Sequence, residues 1–202
     1  HYIEVLGNLT AFNTRITAYN TSNNYYIVVE DGAKFLLDRC EIDYAGYSIE
    51  DNGRYSGLWI NTNNAKIIAT KLANNYIGIV AYEVLGLELI NCTIENNGDG
   101  VIIHESMDSI IHNNTIANNS WTGLTCYFSN SSHVEENMIY NNKEGIVMYR
   151  STDYVIANNS IGRNREAGLM LMYSYGNNIS NNTFIHSGLW VTGSYDNIVV
   201  NN

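Results

Sequence analysis

The sequence predicts an all-β fold: a single-stranded, right-handed parallel β-helix of about eight rungs, each of roughly 22 residues and three short strands. Three observations predict it: asparagine-rich polar pairs recur, a glycine that opens an apolar run follows each pair, and proline is absent. Successive glycines are 20 to 23 residues apart, which is too short for a pair of helices with their loops. These glycines are Gly57, Gly78, Gly100, Gly123, Gly145, Gly168 and Gly188.

Apolar residues fall into three columns that repeat once per turn. The first column follows the glycines with a period of two, as in Leu58/Ile60 and Ile79/Ala81, which is typical of strands. The second contains Ile42, Leu72, Ile94, Ile116, Ile139, Ile161 and Phe184, and the third contains Leu37, Ile67, Leu89, Ile111, Val134, Ile156 and Ile179. Three columns predict three strands per turn, with right-handed crossovers.

Asparagines are expected to form ladders at the turns, because identical amides one turn apart hydrogen-bond to each other and satisfy the backbone groups of the turns. One predicted ladder contains Asn114, Asn137, Asn159, Asn182 and Asn202, with Cys40, Thr70 and Cys92 in the same slot nearer the N-terminus. The other contains Asn74, Asn96, Asn118 and Asn141.

We expect residues 1–202 to form one β-helix domain. Residues 1–25 predict an irregular first rung with a polar turn at 20–24, and residues 47–56, which other repeats lack, predict a loop insertion. The chain ends in mid-ladder without a capping segment and starts at His1, so we expect a processed or excised part of a longer protein or assembly.

The net charge of −10 argues against nucleic acid and against an anionic membrane surface as partners. No apolar run approaches the roughly 18 residues of a membrane-spanning helix. Cys40 and Cys92 are separated by one rung at Thr70, about 9.6 Å in all, beyond disulfide reach of roughly 7 Å. Cys126 falls on another strand, so three unpaired, buried thiols are expected. The glycosylation candidates are Asn8, Asn20 and Asn130.

The segment Asn113-Asn114-Thr115-Ile116, its variants at 136–139 and 158–161, and the glycines that follow resemble the β-helix repeat of the pectate-lyase-like superfamily. The resemblance is closest to the carbohydrate-binding and sugar-hydrolase repeats, which include NosD-like and archaeal surface proteins, and it covers about residues 26–202. It implies an extracellular, cell-surface or periplasmic location and a polysaccharide cleft along the glycine-led sheet. It does not specify an activity, since lyases, hydrolases, epimerases and non-catalytic modules share the fold.

The outward positions of the glycine-led strands are apolar and aromatic, where a solvated face would be polar. Such a patch indicates a ligand or partner surface, and aromatic rings stack on sugar faces. The candidate ligand-binding residues are Trp59, Tyr82, His104, Tyr127, Tyr149, Met172 and Trp190. We therefore predict a non-catalytic surface module that binds a glycan, another protein or a second copy of itself through this sheet.

An enzymatic alternative rests on Glu83 and Glu105, which share a column on neighbouring rungs. Two carboxylates about 5 Å apart fit a retaining glycoside hydrolase or a polysaccharide lyase, with His104 and Arg150 assisting. They equally fit a Ca²⁺ site or an ordinary charged strand end. The Asp-rich motif of polygalacturonases and the proline-containing epimerase motif are missing, which favours a role without catalysis. A structural subunit of a surface layer or filament, assembling through open solenoid ends, is the third hypothesis.

A metal site is a weaker hypothesis. His112 and Glu135 share an outward column and His133 lies two residues before Glu135, a set that suits Cu²⁺ or Zn²⁺. With three candidate ligands and no supporting outer shell, surface histidines without a metal are favoured, and no cofactor is expected apart from the open possibility of calcium.

Overall fold

The computed structural model describes residues 1–18 and 25–202, and every regular element in them is a β-strand. The strands form three parallel sheets, here called A, B and C, and each turn of the chain adds one strand to each sheet. Sheets A and B have nine strands and sheet C has eight, so the chain completes eight turns and begins a ninth. The predicted parallel β-helix is confirmed.

The strands are numbered along the chain. Sheet A contains β1 (Tyr2–Val5), β4 (Tyr26–Val29), β7 (Gly57–Ile60), β10 (Ile77–Tyr82), β13 (Asp99–His104), β16 (Thr122–Tyr127), β19 (Glu144–Tyr149), β22 (Ala167–Met172) and β25 (Leu189–Thr192). Sheet B contains β2 (Asn8–Phe12), β5 (Lys34–Asp38), β8 (Lys66–Ile68), β11 (Glu88–Ile90), β14 (Ile110–His112), β17 (His133–Glu135), β20 (Val155–Ala157), β23 (Asn178–Ser180) and β26 (Ile198–Val200). Sheet C contains β3 (Arg15–Thr17), β6 (Glu41–Asp43), β9 (Lys71–Ala73), β12 (Thr93–Glu95), β15 (Thr115–Ala117), β18 (Met138–Tyr140), β21 (Ser160–Gly162) and β24 (Thr183–Ile185).

The three predicted apolar columns are confirmed by the strand register. Leu58 pairs with Ile79, Leu72 with Ile94, and Ile67 with Leu89. Their side chains are fully buried and meet in one continuous core along the axis of the solenoid. Burial of this column of branched aliphatic side chains is what stabilises the stack, since each rung covers the apolar face of the next.

The first rung is more regular than predicted. Strands β1, β2 and β3 pair in register with β4, β5 and β6, so residues 1–18 already belong to the ladder. The alternation of apolar and polar residues around Leu9 and Ala11 covers too few positions to predict these strands from the sequence. The polar turn predicted at 20–24, including the candidate glycosylation site Asn20, lies outside the described residues. Asn8 is exposed within β2 and Asn130 is half-buried.

The first predicted asparagine ladder is confirmed and buried. In each rung the side-chain oxygen accepts the backbone N–H of the ladder residue one turn earlier, at 2.9 Å from Asn137 Oδ1 to Asn114 N and from Asn159 Oδ1 to Asn137 N. Among the substitute residues Thr70 keeps this function, since its Oγ1 accepts the N–H of Cys40 at 3.2 Å, whereas the Cys92 thiol donates to the backbone oxygens of Ile67 and Ile90. The ladder thus satisfies a turn amide that would otherwise be buried without a partner.

The second predicted column forms one rung-to-rung amide bond, from Asn141 Nδ2 to Asn118 Oδ1 at 3.2 Å, but the buried ladder lies one residue further along the chain. The predicted residues Asn74, Asn96, Asn118 and Asn141 lie at the surface in the left-handed region, with φ between +56° and +58°. A residue in that conformation turns the chain, and the next side chain then points inward. The buried ladder accordingly contains Asn75, Asn97, Asn119, Asn142 and Asn164. A third, unpredicted ladder of serines follows sheet A, at Ser106, Ser129, Ser151 and Ser174.

Four of the recurring glycines, Gly78, Gly100, Gly123 and Gly145, lie directly against the second ladder. A Cβ on Gly100 would lie 2.4 Å from the backbone oxygen of Gly123 and 3.0 Å from Asn119 Nδ2. Neither contact is open to a side chain, so the close approach between this strand and the asparagine ladder excludes every larger residue.

The prediction of unpaired, buried cysteines is confirmed: Cys40, Cys92 and Cys126 are free and buried. Burial raises the pKa of Cys92 and of Cys126 to about 12. The described residues contain no helix that is long and apolar enough to cross a membrane.

Candidate functional site

The outer face of sheet A carries a column of aromatic side chains, as predicted. The register aligns Tyr82, His104, Tyr127 and Tyr149 on successive strands, with Met172 next in line. The rings of Tyr82 and His104 are stacked, with centroids 5.2 Å apart and planes at 13°. The rings of Tyr127 and Tyr149 meet edge to face at 6.2 Å. These side chains are half-buried, so each keeps one edge open to a ligand.

Trp59 is not part of an exposed surface, and its predicted role as an open ligand contact is corrected. Only 5% of it is exposed, whereas Trp190 at the other end of the same outward column is 57% exposed. The insertion at 47–56 covers Trp59, and the backbone oxygen of Asn52 accepts a hydrogen bond from Trp59 Nε1 at 3.3 Å. The insertion is a loop, as predicted, but the sequence did not show that it folds back over sheet A.

Arg54 anchors this loop. Its guanidinium lies 5.1 Å from the centre of the Trp59 ring, forms an ion pair with Glu30, and lies 3.5 Å from Glu4 Oε1. Such a cation over an aromatic face, with two carboxylates beside it, holds the loop against β1, β4 and β7.

A cleft of about 270 Å³ lies between this loop and sheet A. Its floor is apolar and its far wall is polar. The floor residues are Ile77, Val80 and Ile102, the loop contributes Ile49, Asn52 and Gly53, and the polar wall contains Asp99, His104 and Tyr127. Two of the predicted ligand residues, His104 and Tyr127, therefore line one cavity.

Asp99 was missed by the reasoning from sequence. Its Oδ1 accepts the backbone N–H of Thr122 at 2.9 Å, and burial in the cleft wall raises its pKa, an effect that this hydrogen bond opposes and the nearby Glu144 reinforces. Glu144 Oε2 in turn accepts a hydrogen bond from Thr122 Oγ1 at 3.3 Å, and its Oε1 lies 3.1 Å from Lys143 Nζ. The position before the glycine recurs once per turn, but its residue type changes from turn to turn, so the pattern did not single out Asp99.

The polar wall of the cleft offers the Tyr127 hydroxyl, the Asp99 carboxylate and the His104 ring. Burial raises the pKa of Tyr127, and the charges of Asp99 and Glu144 raise it further, so its hydroxyl remains a donor at neutral pH. Among the described residues His104 Nδ1 is buried without a hydrogen-bond partner, the nearest carboxylate oxygen being Glu105 Oε1 at 3.8 Å. Such an unpaired, buried nitrogen carries a desolvation cost that no group in the described part of the chain offsets.

Three of the predicted catalytic residues, Glu83, Glu105 and Arg150, lie in one column at the turn that follows sheet A, while His104 ends strand β13. The N–H of Glu83 donates to His104 O at 3.0 Å, and the N–H of Glu105 donates to Tyr127 O at 2.9 Å. Further along, the Arg150 guanidinium lies over the rings of Tyr149 and Phe128, 5.4 and 5.7 Å from their centres. Of the four predicted catalytic residues only His104 lines the cleft; Glu83, Glu105 and Arg150 do not.

The candidate metal ligands share one surface of sheet B without closing around a point. His112 pairs with Glu135 across neighbouring strands, and His133 Nδ1 lies 3.4 Å from Glu135 Oε1. His112 Nε2 instead approaches Glu136 Oε2, at 3.7 Å. Within the described ranges no group of three or more His, Cys, Asp or Glu is arranged to hold a metal ion. These residues do not fit a copper or zinc centre, and no chemistry is assigned to one.

The sequence matches the family model described as "Right handed beta helix region" over residues 5–161 and again over 131–202. This chain belongs to the right-handed β-helix family. The handedness expected for the crossovers is thereby confirmed. A comparison of the sequence with curated proteins finds no significant match.

Solved structures with the same fold include two epimerases and a tailspike protein. A double mutant of the periplasmic alginate epimerase AlgG superposes with a TM-score of 0.89 at 19% identity, covering 98% of this chain and 54% of the epimerase chain. The Dettilon tailspike protein gives 0.74 at 14% identity, over 94% and 46%. The A-module of the mannuronan C-5 epimerase AlgE4 from Azotobacter vinelandii gives 0.58 at 11%, over 98% and 83%. This chain thus spans about half the length of the first epimerase chain, and at these identities the likeness shows the fold.

Proposed function

We propose that this β-helix binds a glycan along the outer face of sheet A, with the cleft beneath loop 47–56 as its central site. The observation that carries the proposal is the combination, in one cavity, of an apolar floor with the ring edges of Tyr127 and His104 and the carboxylate of Asp99. A sugar ring has an apolar face and a rim of hydroxyl groups, so it needs this combination of surfaces.

The arrangement of the aromatic column supports an extended ligand. Tyr82, His104, Tyr127 and Tyr149 follow one another on adjacent strands, and parallel strands lie about 4.8 Å apart, so the column runs across the strands beside the cleft. A polymer laid along this column meets a new ring at each rung. Fold neighbours that act on alginate or mannuronan, and one that is a tailspike, agree with a carbohydrate ligand and with a location outside the cytoplasm.

We propose binding without turnover. Glycoside hydrolysis in its common form requires two carboxyl groups that flank the scissile bond. In the cleft Asp99 is the lining carboxylate, whereas Glu83 and Glu105 lie beyond the end of the strands. The neighbouring acid Glu144, which pairs with Thr122 across strands, is engaged with Lys143.

The test is binding to a glycan array, followed by titration calorimetry with the best oligosaccharide. Tyr127→Ala should weaken binding by about tenfold or more, because it removes a stacking surface and a donor. The matched control is Tyr140→Ala, in β18 of sheet C, which should leave affinity unchanged. Equal loss in both variants, or no glycan bound by the wild-type chain, would refute the proposal.

A further inference from the structure

We infer that the cleft accepts a sugar unit without negative charge, with hydroxyl or ammonium donors directed at Asp99, and rejects uronate units. This inference rests on the glycan-binding function proposed above and names the class of sugar. It distinguishes this chain from its fold neighbours whose names refer to alginate and mannuronan.

The side chains that line the cleft carry negative charge and no positive charge. None of the ten lysine and arginine residues lines it, while Asp99 does. A sugar carboxylate is normally held by arginine or lysine, through charge-assisted hydrogen bonds. In this cavity it would face a like charge across a partly dehydrated space, which disfavours binding.

Two basic residues on the loop and beside Glu144 are already engaged in ion pairs. Arg54, in the loop that roofs the cleft, pairs with Glu30 and Glu4 and lies over Trp59. Lys143 is held between Glu144 and Glu166, at 3.1 and 3.5 Å. Recruiting either residue to a uronate would break an existing ion pair and leave its carboxylate partner exposed to the new charge.

The Asp99 carboxylate can accept further hydrogen bonds from a ligand. Its Oδ1 is used by the Thr122 N–H, and a carboxylate has two oxygens with about four acceptor positions. Burial has removed part of its hydration, as its raised pKa reflects. A donor from the ligand restores that lost solvation, and both a neutral sugar hydroxyl and a protonated amino group supply one.

The experiment measures affinities for labelled hexamers of three kinds at neutral pH: neutral glucans and mannans, oligoglucosamine, and the uronates of mannuronic, guluronic and galacturonic acid. The expected result is binding of a neutral or amino hexamer, with every uronate at least about tenfold weaker. The dependence of affinity on salt distinguishes a neutral sugar from an amino sugar as the ligand, because only the amino sugar should bind more weakly as ionic strength rises.

Asp99→Asn keeps the acceptor for the Thr122 N–H and removes the charge. It should therefore reduce the ratio of the affinity for neutral or amino hexamers to the affinity for uronate hexamers by about tenfold. Asp38→Asn is the matched control, since Asp38 is a sheet B residue that pairs with Arg39 at 3.0 Å, and it should leave the discrimination unchanged. A uronate that binds as tightly as the neutral and amino hexamers would overturn the inference and leave the glycan-binding function standing. A preference that survives Asp99→Asn would also overturn it, and failure of all hexamers to bind would overturn both.

Discussion

Asn137→Ala tests how the buried ladder holds the rungs together. Asn137 Oδ1 accepts from the N and Nδ2 of Asn114, at 2.9 and 3.0 Å, and its Nδ2 donates to Ile111 O at 2.8 Å and to Asn159 Oδ1 at 3.0 Å. Alanine leaves the buried N–H of Asn114 without this acceptor, at a cost of about 1–3 kcal/mol, and removes further hydrogen bonds worth about 1 kcal/mol each. We expect the free energy of unfolding to fall by about 3–5 kcal/mol.

Two further variants make this prediction specific. Asn137→Thr should lose roughly half as much, because Thr70 shows that a hydroxyl in this slot still accepts the N–H of the preceding rung, as it does from Cys40. Asn118→Gly should change the free energy of unfolding by no more than about 0.5 kcal/mol, since Asn118 is exposed and its φ of +56° suits glycine.

The assay is urea denaturation followed by circular dichroism, with thermal unfolding as a second measure. A loss of this size should lower the Tm by about 10 °C in a chain of this length. The reasoning is refuted if Asn137→Ala costs no more than Asn118→Gly, or if threonine is no better than alanine at position 137.

Three other predictions follow from burial. Trp59→Ala should lower the free energy of unfolding by about 3–5 kcal/mol, because it empties a buried site, while Trp190→Ala should change it little. Chemical denaturation measures both values, and equal effects would contradict the packing of the loop over Trp59. Because burial raises the folded-state pKa of Asp99, its ionised form opposes folding at neutral pH. Asp99→Asn should therefore stabilise the fold at pH 7, with a gain that disappears below about pH 4 in pH-dependent melting curves, and a gain constant with pH would refute this. Cys92 and Cys126, with pKa values raised to about 12, should resist iodoacetamide at pH 8 until the chain is denatured, as peptide mass spectrometry would show.

Much of the fold was predictable because it depends on columns of similar residues, one residue from each turn. The regular spacing of these residues is visible in the sequence. The register of Ile94 with Ile116 and Ile139 follows from spacing alone, and so does the stacking of Asn114 on Asn137. The second ladder was misplaced for a physical reason. In a pair such as Asn118-Asn119 both side chains have the same chemistry, and only the left-handed φ of the first decides that the second points inward.

The candidate site was predictable only in part. The aromatic column of Tyr82, His104 and Tyr127 follows from the register, but the cleft depends on where an insertion without repeats folds back. The position of this insertion is set by the contact of Arg54 with Glu30 and by the hydrogen bond between Asn52 and Trp59. These residues are distant in sequence from the wall of the cleft. The burial of Trp59 and the role of Asp99 follow from that placement, which no periodicity encodes.

The most direct test of the proposed site is a crystal structure of the chain soaked with the tightest-binding neutral or amino oligosaccharide. We predict a sugar ring against Ile102, at the edge of loop 47–56, with a hydroxyl or amino group at hydrogen-bond distance from the Asp99 carboxylate and the chain of sugars continuing past Tyr127. A ligand ordered on sheet B or sheet C, with this cleft filled by water alone, would contradict the account.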